Sequence, residues 1–119
     1  MDDALYAIVW TQGHMTVTDV QKECVFEKWV PLMVMRMNDK VILPCFRHTD
    51  VARRFIERNL PKGTVCGVVN LTIRDAEWID EKGWSPAVYD FPRKLTDVVE
   101  FDVEILEYDS DHEVIVQGA

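Results

Sequence analysis

The sequence predicts an α+β domain: a mostly antiparallel β-sheet with two helices, over about residues 49–60 and 75–82, packed on one face. Three observations carry this prediction. Short apolar runs rich in Val, Ile, Thr and aromatic residues recur along the chain, as they do in strands. Turn residues punctuate these runs, from Gly13 and Asn38-Asp39 through Pro61-Lys62-Gly63 and Gly83 to Asp109-Ser110-Asp111. Two mid-chain segments have helical spacing, and no regular alternation of strand and helix accompanies them, which favours α+β over α/β.

The elements follow in order. Ala4–Trp10 is a first strand, and the Thr and Val of Met15–Val20 suggest a second. Pro31 lacks an amide donor, so the next strand is expected over Leu32–Met37. Asn38-Asp39 turns it tightly into Lys40–Phe46 without the usual glycine. Thr49 is placed to cap a helix running to Leu60, with Asp50 and Arg58 matched to the ends of its dipole. Val51, Ala52, Phe55, Ile56 and Leu60 share its apolar face, and Gly63 is suited to a left-handed exit. Thr64–Ile73 reads as a buried strand. Asp75–Lys82 is a short helix, with caps offered by Thr72 and Asp75 and a stop at Gly83. Trp84–Pro92, with prolines at 86 and 92, reads as a loop or a broken strand. In Val98–Ile105, Val99, Phe101, Val103 and Ile105 alternate with Glu100, Asp102 and Glu104, the pattern of a strand with one buried and one wet face. A final strand over Glu113–Val116 completes an expected acidic hairpin at about 98–117.

The 119 residues suit a single domain over 1–119. An apolar fraction of 48% and a charged fraction of 29% are ordinary for a folded globular chain. No apolar run approaches a membrane span, and the Met-Asp-Asp-Ala-Leu start lacks the basic region of a secretory signal. The expectation is a cytoplasmic protein without membrane association. The net charge of −8 is unevenly placed: residues 97–119 carry eight acids and neither Lys nor Arg, while residues 1–96 balance to zero. Direct nucleic-acid binding through a basic surface is therefore not expected.

Cys24, Cys45 and Cys66 are odd in number and form no CxxC, which fits reduced core thiols better than a disulfide framework. Cys45, His48 and Asp50 form the densest reactive cluster, at a strand-to-helix junction. A thiolate nucleophile needs a base or a positive field, and His48 with the helix start offers both, so these three are candidates for a reactive site. The common phosphate-loop, dinucleotide, zincin and serine-hydrolase motifs are absent from the sequence. Ligands for a metal site are not suitably paired, and no cofactor is expected.

Two surfaces suggest binding. Trp78 and Trp84 flank the second helix, where Asp75, Glu77 or Asp80 could hold a cationic group. Glu100, Asp102, Glu104 and Glu107 form an acidic surface, with Arg53, Arg54 and Arg58 as a complementary basic helix face. Met33, Met35 and Met37 alternate with Leu32 and Val34, so both faces of that strand are expected to be covered, one of them by the core or a second subunit.

Leu43-Pro44-Cys45-Phe46, followed by Thr49-Asp50-Val51-Ala52 and Phe55, resembles SseB-like small α+β proteins over about residues 43–73. The resemblance is one of structure and transfers no functional residue. In type the chain is similar to small bacterial proteins of mobile gene cassettes. These readings converge on a non-enzymatic binding module acting as a homo-oligomer. The alternatives are a small-molecule binder or small enzyme with a Trp-lined, possibly cation-selective pocket, and an acidic decoy for a nucleic-acid-binding protein. A basic protein or a cationic small molecule is the expected partner besides a second copy.

Overall fold

A computed structural model describes residues 5–10, 29–60, 66–95, 100–107 and 114–117. Among the described residues seven strands form one sheet: β1 (Leu5–Trp10), β2 (Trp29–Met37), β3 (Lys40–Phe46), β4 (Cys66–Leu71), β5 (Ser85–Tyr89), β6 (Glu100–Glu107) and β7 (Val114–Gln117). The described helices are α1 (Thr49–Asn59) and α2 (Ile73–Lys82). The α+β class and the largely antiparallel sheet agree with the sequence reading. The region of the expected strand over Met15–Val20 lies outside the described residues.

The central pairing is β1 with β4, antiparallel over the full length of both strands. β2 and β3 form the expected hairpin, and its turn residues Asn38 and Asp39 have φ of 50° and 66°. These are the left-handed values that a two-residue hairpin turn requires, and Asn and Asp tolerate them better than other non-glycine residues. Unexpectedly, β2 extends back through Pro31 to Trp29, because β6 pairs with it from Trp29 to Arg36.

β1, β2 and β3 are each antiparallel to the other two, which a flat sheet cannot accommodate. The hairpin therefore forks. Met35–Met37 pair with Lys40–Ile42, after which Cys45 and Phe46 pair with Ala7 and Tyr6 while Leu32 pairs with Val9. Pro44 stands at this handover, opposite Ala87 of β5.

β3 and β4 both run antiparallel to β1, and β5 runs parallel to β3, so these three strands point the same way. The segment read as a loop or broken strand is thus β5, and a β3-α1-β4-α2-β5 alternation exists where none was expected. The helices also lie on opposite faces rather than on one. Along β1, Ala7 and Val9 join Leu32, Val34, Leu43, Cys45 and Val69 in a core beneath Ile79 and Trp78 of α2. Ile8 and Trp10 join Met33, Met35, Phe46 and Val68 in a second core beneath Val51, Ala52 and Phe55 of α1. The reason is topological. The α1 crossover runs from β3 across β1 to β4, and the α2 crossover runs back; two crossovers of the same hand in opposite directions must use opposite faces.

β6 and β7 do not form a hairpin with one another. β6 lies on β2 and β7 on β4, at different margins of the sheet. Helix boundaries differ slightly from expectation: His48 rather than Thr49 is the N-cap of α1, without a side-chain cap bond, and Leu60 leaves the helix in an extended conformation at φ −103°. Gly63 lies outside the described residues.

Candidate functional site

α2 begins with a closed capping box. The Asp75 amide donates to Thr72 Oγ1 at 3.3 Å, and the Thr72 amide donates to Asp75 Oδ2 at 2.6 Å. The Thr72 hydroxyl lies 3.1 Å from the same carboxylate oxygen, and Asp75 is fully buried. At the other end Gly83 adopts φ 73°, a left-handed C-cap that its lack of a Cβ makes inexpensive. With Trp78 and Trp84 meeting edge-to-face at 4.8 Å and packed on the core, the helix is fixed along its length.

Beneath the first turns of α2 lies a cleft of about 280 Å³. Its floor is the amino end of β1 and the carboxyl-terminal parts of β3 and β4, through Leu5, Cys45 and Leu71. Ala76 and Ile79 form the helix wall, and Thr72, Ile73 and Pro86 form the remaining lining. Ile73 is 81% exposed at the helix start. The position follows from the topology. β3 and β4 send their following helices to opposite faces, and open α/β sheets characteristically bind ligands outside the carboxyl ends of strands at such a switch point.

The lining offers little chemistry. The Cys45 thiol donates to the Leu43 carbonyl at 3.5 Å, and burial pushes it up to about 12. His48 and Asp50 are exposed at the start of α1, with Asp50 3.9 Å from Arg53. Cys45 is thus buried while His48 and Asp50 face solvent, and a thiol held protonated is a poor nucleophile. Among the described residues no group of three or more His, Cys, Asp and Glu side chains is arranged to hold a metal.

Trp78 and Trp84 form an aromatic pair but do not line the cleft. The ring of Trp78 carries the chain's own cation, Lys82 Nζ, 5.5 Å from its centroid. A shallower depression on this helix, lined by Arg74, Glu77, Trp78 and Glu81, includes a second cation. Asp75 serves the capping box, and Asp80 is exposed.

The acidic surface is partly neutralised from within. Arg36 on β2 donates to Asp102 at 2.6 Å and also to Glu104, across the β2–β6 pair. Arg36, followed by the Val103 amide, holds the Asp102 carboxyl below its ordinary range. Glu100 is exposed on the same strand; the side chain of Glu107 is outside the described set. On the other face of β6, Phe101 and Val103 pack into the α1-side core, whereas Ile105, expected to be buried, is 41% exposed; Val99 is outside the described residues. The basic face of α1 serves other contacts. Arg58 donates to the Pro92 carbonyl at 3.0 Å, and Asn59 ties down the same segment by donating to the Arg93 carbonyl and accepting from the Leu95 amide. Arg54 is exposed.

Met33 and Met35 belong to the core beneath α1, and Leu32 and Val34 to the core beneath α2, so both faces of that stretch of β2 are covered within the chain. No helix among the described residues is long and apolar enough to cross a membrane. Comparison with protein-family models, curated proteins and solved structures found no match.

The cleft lies on the same helix as Trp78, Asp75, Glu77 and Asp80 but is lined by none of them. The cleft draws its lining from β1, β3, β4, α2 and β5, so no local motif announces it. The available signal was Ile73, an apolar residue ahead of the amphipathic run at a helix start where a polar residue would cost nothing.

Proposed function

We propose that this domain is a non-enzymatic binding module that acts as a homo-oligomer through the outer edge of β5. The observation that carries this reading is the contrast between two margins of the sheet, those of β5 and β6. Among the described residues, β5 pairs only with β3, and β6 only with β2. β5 carries no charge, and Val88 and the nearby Phe91 expose 42% and 64% of their surfaces. Self-pairing there brings uncharged strands together about a twofold axis. Self-pairing through β6 would set Glu100, Asp102 and Glu104 against their own copies, which is unfavourable.

The cationic-ligand alternative is less well supported, since Lys82 already occupies the Trp78 ring. The decoy reading is weakened because Arg36 engages two acids of the stripe. Multi-angle light scattering from dilute to near-millimolar protein tests the proposal. The parent chain should be a dimer, Val88→Lys a monomer, and Glu104→Lys still a dimer. A parent that stays monomeric throughout, or a dimer unaffected by Val88→Lys, overturns it.

A further inference from the structure

We propose that the cleft beneath the start of α2 is a binding site for a compact, uncharged, apolar ligand, of the size of a bicyclic aromatic. This goes beyond the homo-oligomer reading and does not depend on it.

Volume sets the size. A cavity of 150 Å³ accommodates benzene, so about 280 Å³ suits a ligand of roughly ten to twelve carbon atoms. Chemistry sets the polarity. Seven of the eight lining residues, Cys45 included, are apolar or weakly polar, and the eighth, Thr72, commits its hydroxyl to the capping box. The Cys45 thiol is directed to the Leu43 carbonyl. An anion finds the helix start already served by the Asp75 carboxylate, while a cation finds that carboxylate buried and hydrogen-bonded. A charge placed here would be desolvated without a partner.

Preorganisation sets the shape. The floor is held by the β1–β4 ladder and by β3, which pairs with both β1 and β5. The wall is a helix capped at both ends and anchored by Ile79, Trp78 and Trp84. The described walls are thus set by paired strands and a capped helix before a ligand arrives, which reduces the entropic cost of association. Ile73, exposed beside it, gains cover when the site is filled. A polar substituent on the ligand is tolerated only where it points outward past Ile73 into water.

Titration of the full chain with indole, followed by methyl-resolved NMR, tests this. Indole should shift the methyls of Leu5, Leu71, Ile73, Ala76 and Ile79 saturably, and octanoate should bind about tenfold more weakly or worse. Ala76→Leu fills the cleft while retaining a strong helix former, and should weaken indole by about tenfold or more with an unchanged melting temperature. Ile73→Ser, at an exposed position, provides a second variant and should weaken indole severalfold. The site is overturned by an absence of saturable shifts with both indole and naphthalene, by indole binding that both variants leave intact, or by octanoate binding as tightly as indole. Shifts of these methyls that follow protein concentration and ignore indole would assign the cleft to a second copy instead. Val88→Lys separates the two proposals: as a monomer it should still bind indole.

Discussion

Replacing Asp75 by alanine tests whether this carboxylate is a structural cap or a free functional group. In the structure its Oδ2 accepts from the Thr72 amide at 2.6 Å and lies 3.1 Å from the Thr72 hydroxyl, and the residue has no exposed surface. A hydrogen bond to a charged acceptor contributes a net of about 1.5–3 kcal/mol. Thr72 is exposed, so water can recover part of what its amide loses. The expected cost of Asp75→Ala is therefore about 2–3 kcal/mol. For a domain of this size that corresponds to a fall in melting temperature of roughly 8–12 °C. Asp75→Asn keeps an acceptor oxygen without its charge and should lose about half as much. Urea unfolding followed by circular dichroism provides the measurement, with the slope against urea unchanged so that the midpoint reports stability. A loss within about 0.5 kcal/mol, the range of an ordinary surface change, would refute the capping argument and return Asp75 to the candidate bases and cation ligands.

Three further outcomes are expected. Arg36 lowers the Asp102 pKa, so the stability contributed by this contact is present above the ordinary Asp value and is lost as pH falls through it towards the folded-state value; Arg36→Met should raise the Asp102 pKa in a carboxyl-carbon NMR titration, and an unmoved value would exclude the clasp. The Cys45 thiol, raised to about 12, contributes stability below its unfolded-state pKa that is lost as pH climbs from there towards 12; in a Cys24→Ser/Cys66→Ser background iodoacetamide at mildly alkaline pH should label Cys45 only after unfolding, and rapid labelling of the folded protein would contradict this. At the left-handed Asp39, Asp39→Val should destabilise by about 1–2 kcal/mol while Asp39→Gly should be neutral or slightly stabilising, and equal midpoints for the two variants would show that the turn conformation is misassigned.

Legibility in the sequence followed the range over which each feature is determined. The Asn38-Asp39 turn, the Thr72 cap, the Gly83 stop and the alternation around Phe101 and Val103 were readable because each depends on residues a few positions apart. β5 was not, because five residues preceding Asp90 and Pro92 show no clear alternation and become a strand only by pairing with β3, 43 positions upstream. The expected hairpin over 98–117 failed for a related reason: neighbouring strands in sequence found partners elsewhere, with Leu32–Met35 beside β6 and Gly67–Val69 beside β7. The helix faces were invisible because they depend on crossover direction, which no single segment encodes. Adjacency in sequence also hides that strand alternation aims Cys45 into the core while His48 and Asp50 belong to an exposed helix start. The cleft was half legible: its helix could be identified, but its floor comes from three strands that only the folded topology brings together.

The pairing of β2 with β6 also bears on how the chain is made. The Arg36–Asp102 contact spans 66 positions of sequence. At roughly 5–20 residues per second, a ribosome would complete β2 several seconds before β6 emerges. During that interval β2 offers an unpaired outer edge carrying Leu32, Met33, Val34 and Met35, all apolar and all destined for burial. Such an edge recruits other chains. A polypeptide ending before residue 100 would retain it permanently. Glu100, Asp102 and Glu104 thus arrive on the strand that closes this edge, and charge on an edge strand is one of the means by which proteins discourage edge-to-edge association.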